Sequence, residues 1–113
     1  MQYMLLICRA EGAEPDPGLD VPTAAKAWME EMGGRGVRLL GHRLRPVSDA
    51  TTVRVRNNEV LIADGPFAET KEQIGGFDII ECADLDEAIE VAAKHPVATF
   101  GKIEVRPFWP TEA

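Results

Sequence analysis

Cysteine and histidine are scarce in this chain of 113 residues, with two of each. Cys8 and Cys82 share no motif spacing, which excludes a disulfide framework, so both read as small reduced core residues in a cytoplasmic setting. His42 and His95 have no cysteine or carboxylate at ligand spacing, which removes a structural zinc site; no metal and no organic cofactor is expected. Long apolar runs are missing too. The opening run, Tyr3 to Cys8, stops at Arg9, too short for a signal-peptide core or a membrane span. Positive charge is in deficit: 12 Lys+Arg face 19 Asp+Glu, a net −7. That balance argues against a nucleic-acid backbone or an anionic membrane as partner. No glycine-rich phosphate loop, low-complexity tract or internal repeat occurs.

What is present is the make-up of one soluble globular domain, residues 1–113, with 45% apolar and 27% charged residues. The charge is uneven. Residues 1–56 hold 8 bases and 7 acids, whereas residues 57–113 hold 4 bases and 12 acids. Six arginines fall between Arg35 and Arg56, so a local pocket for a small anion can exist in an acidic protein.

Periodicity sets the order of elements. Gln2–Arg9 reads as a strand with apolar residues on both parities, Tyr3, Leu5 and Ile7 against Met4, Leu6 and Cys8. A loop rich in proline and acid, 10–22, leads to a helix over Thr23–Met32, with Ala25, Trp28, Met29 and Met32 on one face and Gly33-Gly34 as its stop. Val37–Leu44 is a second strand. In TTVRVRNNEVLIAD, Asn57-Asn58 suits a two-residue turn that sets Arg56 opposite Glu59, Val55 opposite Val60, Arg54 opposite Leu61 and Val53 opposite Ile62. Gly75–Glu81 is a strand with Phe77 and Ile79 on one face and Asp78 and Ile80 on the other. Asp84 caps a helix lined by Leu85, Ala88, Ile89 and Ala92, which ends at His95-Pro96. His95 there reads as a positive group at a helix C-terminus. Lys102–Pro107 closes the chain's strands.

The resulting β-α-β-(β-hairpin)-β-α-β order is an α+β, ferredoxin-like βαββαβ arrangement with an inserted β-hairpin. Both helices cover one sheet face, so the apolar residues of the other parity would lie open. A second copy packed face to face, making a homodimeric α+β barrel, is the expected cover.

Asp64-Gly65-Pro66-Phe67-Ala68-Glu69-Thr70-Lys71-Glu72 joins the hairpin to the next strand. Its DGPFAETKEQIGGF stretch, Asp64 to Phe77, resembles the signature of the DGPFAETKE proteins within the YCII-related family. Leu44-Arg45-Pro46, Ala50-Thr51-Thr52-Val53-Arg54, Asp84-Leu85-Asp86-Glu87-Ala88 and Val105-Arg106-Pro107 resemble that family as well, so the likeness spans nearly the whole chain. The resemblance implies a ferredoxin-like fold in a dimeric α+β barrel. It also implies a His–Asp pair in a cleft, for which such proteins have been proposed as enzymes; some relatives act on hydroxylated, halogenated aromatic rings. The family histidine sits on the first helix, and TAAKAWMEEM has none, so that pair is not carried over. Members with this signature often accompany extracytoplasmic-function sigma factors, which implies a regulatory or stress setting.

Asp64 and His42 are the candidate acid/base groups, His42 as the one histidine on a strand and a stand-in for the missing helix histidine. Arg54, Phe67, Glu69 and Lys71 are the candidate ligand contacts, with Arg54 expected to be buried and paired with Asp64 or Glu69. Two functions follow. One is a homodimer that binds, and processes by acid/base chemistry without a cofactor, a small polar or aromatic anion. The other is a non-catalytic regulatory or interaction module linked to sigma-factor or stress response.

Overall fold

The computed structural model describes residues 1–68 and 70–110. Six strands and two α-helices follow one another as β1 Gln2–Ala10, α1 Val21–Gly34, β2 Arg38–Arg43, β3 Thr51–Arg56, β4 Glu59–Asp64, β5 Glu72–Glu81, α2 Leu85–Ala93 and β6 Lys102–Pro107. Short 3-10 turns occupy Val47–Asp49 and Pro96–Thr99. Four strands form one sheet in the order β2-β5-β1-β6, with every neighbour antiparallel. That strand order, with α1 and α2 as the two crossovers, is the one a βαββαβ unit requires. Strands β3 and β4 form a separate two-stranded ribbon inserted between β2 and β5.

Register decides what each face carries. Tyr3 pairs with Ile80, Leu5 with Asp78 and Val105, and Ile7 with Gly76 and Ile103. This parity faces the helices, and Tyr3, Leu5, Ile7 and Ile80 join Trp28, Met32, Ala88 and Val91 in one core. The opposite parity carries Met4, Leu6, Phe77 and Ile79, all only half-buried, with Leu40 exposed beside them. The open apolar sheet face expected from the sequence is therefore present on the chain.

Helix α1 begins two residues earlier than expected, because Asp20 accepts the Thr23 N–H at 3.3 Å and Pro22 fits the first turn. It runs through Gly33-Gly34, and the left-handed residue after it is Gly36, at φ 73°. Helix α2 has the expected cap: Asp84 accepts the Glu87 N–H, and Glu87 accepts the Ala83 N–H, both at 2.9 Å. Its buried stripe is Ala88, Val91 and Ala92, while Leu85 and Ile89 stay half-exposed.

The ribbon follows the expected register pair by pair, and Asn57 and Asn58 take φ of 51° and 65°. Both of its faces are exposed: Val53, Val55, Val60 and Ile62 keep 57–68% of their surface. It projects as an arm. The radius of gyration, 16.2 Å, exceeds the ~13 Å of a compact domain this long.

Candidate functional site

Between the N-terminal half of α1 and the β2–β5 edge of the sheet lies a cleft of about 1050 Å³. Its floor is shaped by glycine. A Cβ on Gly41 would collide with Asp78 Oδ1 and meet the Phe77 carbonyl at 2.7 Å, and a Cβ on Gly76 would meet the His42 carbonyl at 3.0 Å. Asp78 fills the room that Gly41 leaves. It is 6% exposed, and its Oδ1 accepts the Arg38 Nε–H at 2.7 Å. Burial pushes this carboxyl above its usual range, and the Arg38 hydrogen bond and charge offset that only in part. Oδ2 receives no hydrogen bond from the described residues and is not sealed from solvent.

His95 lines the same cleft and is 7% exposed. Its residue precedes Pro96, which starts the 3-10 turn, and its Nδ1 accepts the Val97 N–H at 3.1 Å. A ring nitrogen that accepts an N–H bond bears no hydrogen, so the hydrogen sits on Nε2. Nε2 has no acceptor among the described residues and is likewise not sealed. The ring meets Trp28 edge-on at 4.8 Å, and burial lowers its pKa to about 4. The imidazole is thus neutral at physiological pH, which corrects its reading as a positively charged end group.

The cleft is lined by four arginines, Arg9, Arg38, Arg43 and Arg45, against Asp78 and Glu11. Arg9 donates to the Ala13 carbonyl and lies over the Phe100 ring, and Arg45 pairs with Asp49 at 2.9 Å. Arg43 has no ion-pair partner among the described residues.

Of the described residues taken from sequence as acid/base or ligand candidates, His42 alone borders the cleft, and its ring sits on the other sheet face, 6.0 Å from Phe77 and exposed. Asp64, Arg54, Phe67 and Lys71 are exposed on the arm or on the segment returning from it, Phe67 at 91%. Glu69 lies outside the described residues. The expected Arg54–Asp64 pair does not form within the chain. Asp64 opposes Thr51 and shares a face with Val53, whereas Arg54 opposes Leu61 on the other face, three rungs away. Sequence reasoning passed over Asp78, Arg38 and His95. The signal for Asp78 was its parity, since a carboxylate that alternates with Ile80 toward the helices must find a partner. Among the described residues no group of three or more His, Cys, Asp or Glu could share a metal ion. No helix among them is long and apolar enough to cross a membrane.

An antiparallel sheet with two helices on one face, a projecting ribbon and a basic cleft floored by a buried ion pair defines an α+β protein with one candidate ligand site. Residues 1–112 match the YCII-related domain, and the chain belongs to that family. An uncharacterised protein of Rhizobium meliloti is 49% identical over 67 residues, which cover 58% of this chain. The match spans 54% of that relative's length. Among solved structures, 5-chloro-2-hydroxyhydroquinone dehydrochlorinase from Burkholderia phenoliruptrix, in complex with 2,5-dihydroxybenzoquinone, is similar at 17% identity and a TM-score of 0.49. That alignment covers 96% of this chain and 94% of the other.

Proposed function

We propose that this protein, a member of the DGPFAETKE subgroup, is a homodimer that binds a small organic anion in the cleft and offers it acid/base groups. The observation that carries this reading is the Arg38–Asp78 pair, buried at the floor of a cleft that also holds His95. A cleft of this size suits a small molecule, which is held by a few convergent polar groups on an otherwise apolar wall. Arg43 supplies free positive charge, while Arg38 holds Asp78 in place. The His95 Nε2–H donates to a carbonyl or phenolate oxygen. Asp78, a carboxyl held above its usual range, exchanges a proton through Oδ2. Face-to-face packing of two sheets, the α+β barrel, covers Met4, Leu6, Phe77 and Ile79. In that dimer His42 is buried on the covered face. Asp64, Arg54, Phe67, Glu69 and Lys71 then serve a ligand only where the partner's cleft meets the arm.

The second reading, a regulatory interaction module, is supported by the exposed apolar arm. A thermal-shift panel of small carboxylates and phenols separates the two, because a ligand at 100 times its Kd adds about 2.7 kcal/mol of stability. Binding that raises the melting temperature of the wild type and is lost in Asp78→Asn and Arg43→Ala supports the cleft. No shift with any panel member at millimolar concentration refutes it. Among binders, product formation followed by NMR, lost in Asp78→Asn, distinguishes an enzyme from a binding protein.

A further inference from the structure

We infer that the cleft binds a short aliphatic oxo carboxylate and enolises it. Asp78 is the base, His95 donates to the carbonyl oxygen, and Arg43 anchors the carboxylate. This rests on the anion site proposed above and names its substrate class and reaction. Asp78 and His95 border one cleft from two sides, the sheet floor and the 3-10 turn beside Trp28 of α1. Both residues are more than nine-tenths buried. Each keeps one polar atom unsealed and without a partner among the described residues, Asp78 Oδ2 and His95 Nε2. Polar groups buried for structure alone normally find partners within the fold.

Register gives the ligand its direction. A shift between Arg38 and Leu40 lets Arg38, Gly41 and Arg43 oppose Ile80, Asp78 and Gly76, so all three face the helices. Arg43 therefore stands on the Asp78 side of the sheet, one side-chain repeat, about 7 Å, beyond Gly41. It is exposed and has no ion-pair partner among the described residues, whereas Arg38 is bound to Asp78. A carboxylate at the floor would face the Asp78 charge where little water screens it, so the carboxylate belongs at Arg43. What the floor accepts is an uncharged oxygen. A carbonyl meets that requirement, and a phenolate does not.

Enolisation conserves charge at the floor. Ionised Asp78 takes a proton through Oδ2 from the carbon beside the carbonyl. The C–H electron pair becomes the carbon–carbon double bond, and the carbonyl π pair moves to oxygen. Negative charge thus leaves Asp78 as it appears on the enolate oxygen, where the His95 Nε2–H donates. The Val97 N–H fixes that tautomer by occupying Nδ1, and burial keeps the ring neutral. A neutral imidazole polarises a carbonyl, and a carboxylate of raised basicity suits proton removal from carbon. Burial moves the Asp78 carboxyl in that direction. Because Oδ2 is not sealed, the proton it returns to carbon has exchanged with water. The step balances without an oxidant, a reductant or a second substrate.

The test follows deuterium uptake by proton NMR in heavy water, at the carbons beside the carbonyl of 4-oxopentanoate and of 2-oxoglutarate. The comparison is 2-pentanone, which carries a methyl group where 4-oxopentanoate has its carboxylate. The expected result is exchange of at least one acid roughly 1,000-fold above the buffer rate, within the range of positioned general-base catalysis. Exchange of 2-pentanone stays near the buffer rate. Asp78→Asn returns exchange to the buffer rate, and His95→Asn lowers it about 100-fold. Arg43→Ala, at an exposed side chain, raises the half-saturating concentration of the acid about 30-fold, the scale of one charged hydrogen bond. Urea midpoints establish that each variant is folded. Exchange of both acids at the buffer rate overturns the inference. So does exchange of 2-pentanone as fast as that of the acids, or exchange that survives in Asp78→Asn. A melting temperature raised by these acids without exchange removes the enolisation and leaves the anion site standing. No melting shift with any anion removes the site as well.

Discussion

His95 couples stability to pH in a direction opposite to that of a surface histidine held by a carboxylate. Its ring is 7% exposed, packs on Trp28 and gives its Nδ1 to the Val97 N–H, and burial takes its pKa from 6.5 to about 4. In the unfolded chain the same imidazole binds a proton near pH 6.5. Between these values the unfolded state holds more protons, so stability is fully present above about pH 6.5 and falls as pH drops toward 4. The gap corresponds to about 3 kcal/mol at its lower end. The variant that isolates the effect is His95→Asn, whose amide oxygen can still accept the Val97 N–H while nothing titrates. It gives up the ring contact with Trp28 and is less stable at pH 7, so the informative quantity is the slope. Urea unfolding by far-UV circular dichroism at several pH values from 4 to 8 yields stability curves for both proteins. The wild-type advantage present at pH 7 shrinks by about 3 kcal/mol at pH 4. Asp78, whose carboxyl is raised, contributes the reverse slope, but equally to both proteins. Parallel curves would falsify the burial argument, as would an imidazole resonance, absent from the variant, that titrates near pH 6.5.

The ion pair and its surroundings yield further expectations. Gly41→Ala places a Cβ against Asp78 Oδ1 and the Phe77 carbonyl, and because the backbone oxygen cannot swing aside, it costs about 1–3 kcal/mol in thermal unfolding. Arg38→Met leaves Asp78 buried without its cation. With the Arg38 side chain 20% exposed, the loss is about 2–3 kcal/mol, below the cost of a fully buried pair. The Asp78 carboxyl then rises further, so urea midpoints fall more at pH 8 than at pH 5 relative to wild type, an order that a surface pair would not produce. Asp84→Ala removes the acceptor for the Glu87 N–H and lowers stability by about 1 kcal/mol, with no effect on the cleft or on ligand-induced melting shifts.

Much of the fold was legible because single residues constrain it locally. Two consecutive asparagines before a β-branched strand leave a positive-φ turn as the economical solution, and their φ of 51° and 65° bear that out. Strand parity separated the core from the open face, and Asp84 marked the start of α2 within one residue. The site was less legible because it depends on contacts distant in sequence. His95 meets Trp28, Arg38 meets Asp78, and Gly41 makes room for both partners of that pair. Strand parity could exclude the pairing of Arg54 with Asp64, but the choice of Arg38 for Asp78 depends on a register shift between Arg38 and Leu40. No local pattern announces such a bulge.

The arginine cluster shows why a run of like charge is a poor guide to an anion site until the fold divides it. Arg35 binds Glu90 through two hydrogen bonds of 3.0 Å on the helical layer, and Arg45 turns to Asp49. Alternation sends Arg54 and Arg56 to one face of the arm, opposite Leu61 and Glu59 and away from the Val53 face. Only Arg38 and Arg43 remain to act on a ligand, and they differ in kind. Arg38 is committed to Asp78, so it fixes the carboxylate and contributes little free charge. Arg43, on the cleft wall and without an ion-pair partner among the described residues, is the group whose charge a bound anion would feel most fully. Anion affinity should therefore fall more for Arg43→Ala than for Arg54→Ala, and fold stability more for Arg38→Met than for either. Equal loss of affinity from Arg43→Ala and Arg54→Ala would place the ligand where the arm meets a partner subunit.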